Sequence, residues 1–394
     1  MNCFSKTKNA LFFSSVDEIS VDIWQSLNCE KNKYFNRNFL KSIEKNHPEI
    51  TFFYIVLVNE NQIPKALASV QIIDFYIDTV TNTFEFFIRQ IKNIARKINA
   101  FPNKKPLQLL ICGNTFVSGE HGIFIKENYN KKIVVKEIAK AILHLVRTKK
   151  ELKIDAFLLK DFVNESLFIT DEVKDYNYHP FSVEPNMLLK VDENWSSFDD
   201  YMASMKTKFR VKAKKAYQLS KDLKTEDITE QNIVDFLPEI TSLYQKVASN
   251  AAFNLGNFNL ETYKDFKENF KENYILKTFS LDGKIVGFLS GIINNNILDA
   301  HFVGIDYQLN REYAIYQRML YNYIEIAIDN KLKIINFGRT ASEIKSSVGA
   351  EPQDLTMYLR HKKSITNKIL KLFLQRVQPT PFQQKFPFKT KTSK

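Results

Sequence analysis

Apolar runs separated by short polar turns recur along this chain in a repeated order. Residues 53–73 read FYIVLVNENQIPKALASVQII, and residues 274–293 read YILKTFSLDGKIVGFLSGII. Each pattern predicts two strands joined by a tight turn, because Asn, Asp and Gly stand between the apolar runs. An amphipathic segment precedes each pair, at 35–47 and at 260–272, and its spacing predicts a helix.

A second pair of similar segments follows the first in the same order. Residues 137–159 read EIAKAILHLVRTKKELKIDAFLL, and residues 317–338 read QRMLYNYIEIAIDNKLKIINFG. Both predict an apolar-striped helix, a short polar link and a strand. Two copies of one α/β unit explain this order better than chance. We therefore expect an N-terminal domain over 1–190 and a C-terminal domain over 191–362.

Three further segments do not belong to the repeat. The apolar positions between 84 and 98 share one helical face and predict a helical insertion near 80–100. Residues 363–394 predict a basic C-terminal helix and then a tail, which we expect to be poorly ordered from Pro379 onward. At the start of the second domain, Ser196 with Asp199 three residues later fits a variant of the capping box.

The positive charge of the chain is concentrated in two places. The 394 residues carry a formal net charge of +12. The stretch from Lys206 to Lys224 has many Lys and Arg residues and a single acid, and the stretch from Leu355 to Lys394 has no acid at all. Such local basicity suggests a polyanionic partner, namely substrate phosphates, a lipid surface or nucleic acid. A solvated helix face and a loose tail would carry the same charge.

Cysteine and histidine usage narrows the class of protein. The three cysteines form no CxxC pair, and the six histidines do not cluster with them at metal-ligand spacing. A disulfide framework and a structural zinc site are therefore not expected, and we expect a cytoplasmic protein without a metal. No apolar run reaches the roughly 18 residues that a membrane span requires.

The stretch NFGRTASEIKSSVGAEP at 336–352 is the first candidate for chemistry. It places Arg339, Glu343 and Lys345 between two of only ten glycines. Arg339 and Lys345 could hold phosphate or carboxylate groups, and Glu343 could act as a general base. A surface role remains open for Lys345, and a purely conformational role remains open for the two glycines.

The strand predicted over ILDAHFVGID at 297–306 is the second candidate. Alternation puts Asp299, His301 and Val303 on one face, so His301 is a second candidate base, although a packed histidine would look the same. The strand leads into a helix whose first backbone amides could bind an anion. On that helix Tyr316 could donate a proton to a leaving thiolate.

The order of strand, R-x-x-A-x-Y (Arg311, Ala314 and Tyr316) and helix resembles the acyl-CoA-binding signature of GNAT-fold acyltransferases, with its glycines replaced. YMASMKTKFRVKAKKA resembles the basic helix that opens the second domain of Fem-type aminoacyl transferases and their acyltransferase relatives. IKSSVGAEPQDLTMYLRHK at 344–362 is similar to the family segment in which a Lys and a Gly match Lys345 and Gly349. The resemblance covers roughly residues 34–362.

The resemblance implies an α/β fold of two tandem GNAT-like domains, each with a mixed central sheet flanked by helices. It implies transfer of an acyl group from acyl-CoA to an amine acceptor, such as a lipid or cell-envelope precursor. Arg311, Ala314 and Tyr316 would then bind the coenzyme, and Arg339 and Lys345 the substrate. The basic helices could contact the inner face of an anionic membrane.

Two alternatives remain open at this stage. One is an aminoacyl-tRNA-dependent ligase that acts on a peptidoglycan precursor, in which the basic segments would contact RNA. The other is a non-catalytic binding module that kept the fold, which the replaced glycines of the coenzyme signature would favour.

Overall fold

A computed structural model describes residues 9–76, 106–250 and 255–389 of the chain. The helical insertion expected near 80–100 lies outside these residues. The chain divides into two compact units. Unit 1 comprises Met1–Glu184, Ala252–Asn259 and Asp354–Thr380, and unit 2 comprises Pro185–Ala251, Leu260–Gln353 and Pro381–Lys394.

The strands of unit 1 form a mixed sheet in the order β1-β2-β3-β4-β6-β13, with β5 beside β3. Their bounds are β1 Ala10–Phe13, β2 Thr51–Val58, β3 Pro64–Phe75, β4 Leu107–Cys112, β5 Ile123–Ile125, β6 Ala156–Val163 and β13 Glu351–His361. The pair β4 and β6 is parallel, and the other neighbours are antiparallel.

The strands of unit 2 repeat this arrangement in the order β7-β12-β11-β10-β9-β8. Their bounds are β7 His179–Lys190, β8 Lys224–Asp227, β9 Tyr274–Leu281, β10 Lys284–Asn294, β11 Ile297–Ile305 and β12 Ile334–Asn336. Here β11 and β12 are the parallel pair, and the rest are antiparallel. The strand pairs expected near 53–73 and 274–293 are β2–β3 and β9–β10, so the repeat read from the sequence is confirmed.

Helices fill the connections between the strands. Unit 1 has α1 Val21–Leu27, α2 Arg37–Asn46, α3 Lys131–Thr148, α4 Leu167–Thr170 and α12 Ser364–Leu374. Unit 2 has α5 Phe198–Ser204, α6 Thr207–Leu219, α7 Ile233–Asn250, α8 Thr262–Phe270, α9 Tyr307–Tyr313, α10 Ile315–Asp329 and α11 Ser342–Ser347. The parallel strands are joined through α3 in unit 1 and α10 in unit 2, as a crossover connection requires.

Each unit has its own apolar core. The stripe of α3 (Val135, Ile138 and Ile142) packs with strand residues such as Ile55 and Leu110 in unit 1. The equivalent stripe of α10 packs with β10 and β11 in unit 2, together with α5 and α6; its members include Met319, Tyr323, Leu289, Leu298, Met205 and Ala213. Both cores explain why the apolar periodicity of the sequence is strong in the two copies.

Two expectations about local structure were wrong. The capping box at α5 uses Ser197 and Asp200, one residue later than Ser196 and Asp199. Asp200 also accepts hydrogen bonds from the backbone N–H and the hydroxyl of Ser196. The backbone N–H of Ser197 donates to the same carboxylate, so both serines bind Asp200. The tail after Pro379 is ordered as far as Lys389, because it makes specific contacts in unit 2 that are described below.

Candidate functional site

The parallel strands β11 and β12 separate in the middle of the unit 2 sheet. They pair only from Ile297–Ile334 to Asp299–Asn336, and β11 then continues to Ile305 while β12 ends. A gap between parallel strands at their carboxyl ends is a common place for a ligand in an α/β sheet. The candidate residues of the sequence lie on the segments that leave this point.

The backbone of β11 is directed into this gap. Phe302 exchanges hydrogen bonds with the Ser290 hydroxyl on β10, donating its N–H at 3.0 Å and accepting at its carbonyl at 2.8 Å. Since backbone groups alternate between the two sides of a strand, those of Val303 point to the side from which β12 has turned away. A ligand that carries amide groups could pair there as a further strand would.

The loop that follows β12 has an unusual backbone. Gly338, Thr340 and Ala341 all have φ between 49° and 69°, a region that costs energy for residues with a side chain. The Asn336 side chain supports the loop by accepting the Gly338 N–H at 2.9 Å and donating to Asp299 Oδ1 at 2.9 Å. The loop is thereby tied to β11 through hydrogen bonds between buried polar side chains.

Lys345 on α11 is a buried cation at the centre of this loop. Its side chain folds under the backbone, and Nζ donates to the carbonyl of Arg339 at 2.6 Å and to that of Gly338 at 3.3 Å. Lys345 is only 4% exposed. No carboxylate of the described residues pairs with it, so burial alone lowers the pKa of its ammonium to about 7.

Arg339 contributes a second cationic side chain to the same loop. The residue is half-buried, and burial lowers the pKa of its guanidinium to about 10. An anion brought close to Arg339 and Lys345 would interact strongly with both, because their surroundings screen charge less than water does. The loop therefore has the chemistry of an anion site or of a site where negative charge develops.

Glu343 lies on the opposite, exposed side of α11. Its carboxylate pairs with Lys385 of the C-terminal tail at 2.9 Å, and 58% of its side-chain surface is accessible. It is not in contact with Lys345, and the two residues lie on different faces of the helix.

The C-terminal tail packs against α11 and the turn that follows it. The backbone N–H of Lys385 donates to Ser346 Oγ at 3.1 Å, and Gln384 Nε2 donates to the Ala350 carbonyl at 2.9 Å. Gly349, at φ 106°, is where the ring of Phe388 approaches most closely. A Cβ atom at that position would lie 2.3 Å from the ring. Glycine is therefore required at this position for two reasons: the backbone has a positive φ, and a side chain would clash with Phe388 of the tail.

The tail is also bonded to the segment between α5 and α6. Met205 forms a bridge with Phe388, and the Lys206 N–H donates to the Pro387 carbonyl at 2.8 Å. The ring of Phe388 packs against Trp195 and Tyr201, with ring centroids 5.4 Å and 5.9 Å away. The Tyr201 hydroxyl in turn donates to the Val348 carbonyl at 2.9 Å. Residues 381–389 thus help to hold α11 in place.

His301 lies on β11 beyond the point at which β12 leaves. It is two residues after Asp299 and half-buried, with ring contacts to Tyr263 and Phe302. Tyr263 belongs to the apolar packing of α8, and its hydroxyl bonds to Ser290 at 3.1 Å. The register of β11 against β10 shifts between Ala300 and Val303, so the expected alternation that put His301 on the face of Asp299 is interrupted; His301 lies on the part of β11 that runs along the gap.

The coenzyme signature falls at the junction of α9 and α10. Arg311 is exposed on α9, and Ala314 takes a left-handed conformation with φ 48° between the two helices. The N–H of Tyr316 donates to Asn310 Oδ1 at 2.9 Å, so this side chain satisfies one amide of the α10 N-terminus. Burial raises the pKa of the Tyr316 phenol, which keeps its proton in place at neutral pH.

The structure thus groups some of the candidate residues and separates others. Lys345 and the backbone of Arg339 meet directly, and Asn336 connects their loop to Asp299, two residues before His301. Glu343 faces the tail, and Arg311 and Ala314 lie at a helix junction. The sequence analysis did not identify Asn336, Lys385 or Phe388. The run NFG directly after a strand could have pointed to Asn336, whose short side chain suits a turn.

No group of three or more His, Cys, Asp and Glu side chains is arranged to hold a metal ion in residues 9–76, 106–250 and 255–389. Among these same residues no helix has the length and apolar character to cross a membrane.

Comparisons with known proteins bear on the fold. No protein-family model matches the sequence, and no curated protein matches it. Solved structures do match. FemX aligns over 90% of this chain and 99% of its own, with a TM-score of 0.53 at 9% identity. N-myristoyltransferase of Saccharomyces cerevisiae with bound myristoyl-CoA aligns over 91% of this chain and 79% of its own, with a TM-score of 0.51 at 12% identity.

Likeness at this level of identity concerns the fold and nothing finer. Both alignments extend over nearly the whole of this chain, and the repeated strand order of units 1 and 2 agrees with two successive copies of one domain. The α/β class expected from the sequence, with a mixed central sheet flanked by helices in each copy, is confirmed. The chain therefore shares the overall fold of FemX and of this N-myristoyltransferase.

Proposed function

We propose that this protein is an N-acyltransferase that moves an acyl group from acyl-CoA to an amine acceptor, with its reaction centre in unit 2. The observation that carries the proposal is Lys345, a buried ammonium that has no carboxylate partner among the described residues and is bonded to the loop that follows β12. Burying such a charge is costly unless an anion or a developing negative charge compensates for it. Acyl transfer supplies an anion in the phosphates of the donor, and it supplies a developing negative charge in the oxyanion of the tetrahedral intermediate.

The reaction requires two proton transfers around one carbonyl carbon. The amine must lose a proton as its nitrogen bonds to the thioester carbon, and the thiolate gains a proton after the C–S bond breaks. In the proposal Glu343, or alternatively His301, accepts the proton from the amine. Tyr316 donates a proton to the departing thiolate. Burial keeps its phenol protonated at neutral pH but also makes it a weaker acid than a free phenol.

The donor would bind at the junction of α9 and α10. The first amides of α10 and the left-handed turn at Ala314 favour a diphosphate there, and Arg311 is exposed on the preceding helix. Arg339 and Lys345 would hold a phosphate or carboxylate of the substrate. The Asn310 side chain already accepts the Tyr316 N–H, so a diphosphate at that amide must displace it.

The acceptor is proposed to be an amine on a lipid or cell-envelope precursor, reached from the cytoplasmic face of the membrane. The basic helices α6 and α12 would bring the enzyme to an anionic surface. One observation favours a second function. Lys208, Lys212 and Lys214 are exposed on α6 and form none of the ion pairs of the described residues. Such a face would also suit the RNA of an aminoacyl-tRNA-dependent ligase.

A thermal-shift panel tests the proposal. Free CoA, acetyl-CoA, a long-chain acyl-CoA and bulk tRNA are compared on the full chain. A ligand at about 100 times its Kd adds roughly 2.7 kcal/mol to the free energy of unfolding, which gives a clear rise in Tm. We expect a rise with at least one acyl-CoA, its loss in Lys345→Ala, and acyl-CoA-dependent release of free thiol when a suitable amine is added.

A matched control is available in unit 1. Lys65 is also buried, at 8% exposure, but it pairs with Glu137 at 2.6 Å. Lys65→Met should lower the Tm of the free protein while leaving the ligand-induced rise intact. A rise with tRNA alone would favour the aminoacyl-tRNA reading. No rise with any CoA derivative would overturn the proposal. No rise with any ligand of the panel would favour a non-catalytic binding module, for which the Asn310 contact is the structural argument.

A further inference from the structure

Helix α12 is anchored to unit 1 by only one of its faces. The Asn367 side chain, 5% exposed, accepts the His361 N–H at 2.8 Å and donates to the Asn177 carbonyl at 2.9 Å. Leu374 at the end of the helix is buried as well. These contacts fix the rotation of α12, so the residues on its outer face are held in a defined orientation.

The outer face of α12 is apolar. Ile365 is 76% exposed and Leu372 is 62% exposed, and Ile365 is the most exposed large apolar side chain among the described residues. The two are seven residues apart, and half-buried Ile369 lies between them at the i+4 position. This spacing places all three on one stripe of the helix. An anchored helix that exposes a stripe of aliphatic side chains is a candidate contact surface for an apolar partner.

Cationic side chains border the apolar stripe. Lys362 and Lys363 precede the helix, Lys368 and Lys371 lie within it, and Arg376 follows it; all five are exposed. Only Lys362 forms an ion pair among the described residues, with Asp155 at 2.7 Å. The sequence from Leu355 to Lys394 contains no acid. An apolar stripe with a cationic border is the composition that lies in the headgroup region of an anionic bilayer.

We propose that α12 binds the surface of an anionic lipid bilayer and lies in its plane, with Ile365, Ile369 and Leu372 at the boundary between headgroups and acyl chains. Each lysine near such a surface contributes on the order of 1 kcal/mol, and burial of the aliphatic stripe adds to this. The proposal specifies the membrane contact of the proposed function and does not require that acyl transfer occur. RNA offers phosphates for the lysines but nothing for exposed aliphatic side chains, and it is therefore less favoured.

Vesicle sedimentation with the full chain tests the assignment. Vesicles of phosphatidylcholine with about 30% phosphatidylglycerol are compared with pure phosphatidylcholine at low and high salt. We expect binding to the anionic vesicles only, weakened by salt because the lysine contribution is screened. The double variant Ile365→Ser/Leu372→Ser should bind at least tenfold more weakly. Lys368→Gln/Lys371→Gln should lose most of the preference for anionic lipid.

The control variant is Ile133→Ser on α3 of the same unit. Ile133 is 55% exposed and follows Lys131 and Lys132, but that helix carries no such stripe of exposed aliphatic residues. This variant should bind vesicles like the wild type. Since all substituted side chains are exposed, circular dichroism and Tm should be unchanged in every variant.

Three outcomes would overturn the proposal. The wild type could fail to bind anionic vesicles at low salt. The serine double variant could bind them as tightly as the wild type. Alternatively, the lysine variant could lose tRNA binding in a protein that ignores vesicles, which would assign this face to RNA. The acyl-CoA thermal shift is recorded on the same variants, so that loss of membrane binding and loss of donor binding are separated.

Discussion

Lys345 has an electrostatic environment that its sequence position alone does not suggest. A lysine in an exposed six-residue helix would be an ordinary surface cation. In the structure its ammonium is enclosed and bonded to two backbone carbonyls, which can stabilise it only in part. The resulting pKa of about 7 means that the folded protein holds this proton weakly near neutral pH.

This pKa predicts a pH-dependent stability difference between the wild type and Lys345→Met. The folded pKa is about 7 and the reference value is 10.5, so between these values the unfolded chain binds more protons than the folded one. The stability of the wild type therefore rises with pH in this window, by up to about 1.4 kcal/mol per pH unit. We expect the Tm of the wild type, relative to that of Lys345→Met, to increase from pH 7 to pH 9.5.

Comparison with a methionine variant removes the contribution of the other titrating groups to the pH dependence of the Tm, because both proteins contain them. Methionine has a similar length and no charge, so the difference between the two Tm curves isolates the ammonium. Lys363→Met, at an exposed position, controls for the loss of a lysine side chain as such. A pH-independent difference between the wild type and Lys345→Met would mean that the Lys345 ammonium keeps an ordinary pKa in the folded protein.

Sequence reasoning reached this residue but not its neighbours. Lys345 and Gly349 were found from a motif with fixed spacing, and the glycines on either side marked a backbone that turns. The Glu343–Lys385 ion pair could not be predicted, because its members are far apart in sequence and their meeting depends on the path of the tail. Asn336 was missed because its role lies in two hydrogen bonds, which no periodicity records.

At the scale of elements, the tail is the clearest departure from the sequence-based expectation. A Pro- and Lys-rich end without apolar periodicity predicts poor order. Instead, Phe388 fills the space above Gly349, and backbone bonds at Lys206 and Lys389 hold the segment in place. The order of the tail depends on the contact between Phe388 and Gly349, which are separated by 39 positions. A pattern that is analysed within a short window of sequence cannot detect such a contact.

Removal of the tail should therefore affect the helix that carries Lys345. A chain that ends at Thr380 loses the Lys385 and Gln384 contacts of α11 and the Phe388 ring. We expect its Tm to fall by several degrees, because a substantially buried aromatic side chain contributes a few kcal/mol. We also expect weaker protection of the α11 amides against hydrogen exchange.

A chain that ends at Lys389 is the matched control, since it keeps every tail contact described above. It should behave like the full-length protein. Phe388→Ala tests the ring alone and should account for most of the loss in Tm, whereas Lys385→Ala should cost little because its ion pair is partly exposed. If the chain that ends at Thr380 keeps the Tm and the exchange protection of the full chain, the tail does not support α11.

At the scale of the whole molecule, the two units differ in how they obtain their last strand. In unit 2, β7 precedes the repeat along the chain and pairs with β12. In unit 1, β13 comes from the far end of the sequence and pairs with β6, from Leu355–Val163 to His361–Ala156. The repeat of strand, helix and strand was visible in the sequence because each copy is local. The pairing of β13 with β6 was not visible, since it joins two segments that are far apart in the sequence.

This connectivity predicts that residues 1–184 do not fold by themselves. Without β13 the strand β6 would be an exposed edge with the apolar sequence AFLLKDFV, and the contacts of Tyr358 with Thr170 at 2.9 Å and Asp171 at 2.7 Å would be missing. Long apolar edges pair with other chains. We expect the fragment to aggregate or to unfold without a cooperative transition, as followed by circular dichroism and size-exclusion chromatography.

Coexpression with a second fragment covering 351–380 should restore a soluble complex, because that segment supplies both β13 and the anchored helix α12. Tyr358→Phe in the second fragment keeps the strand but removes its hydroxyl, so it should weaken the complex without abolishing it. A soluble, cooperatively folding 1–184 fragment would show that β13 is an addition to a complete domain. Such a result would also support the expected division near residue 190, in which the two copies are consecutive along the chain.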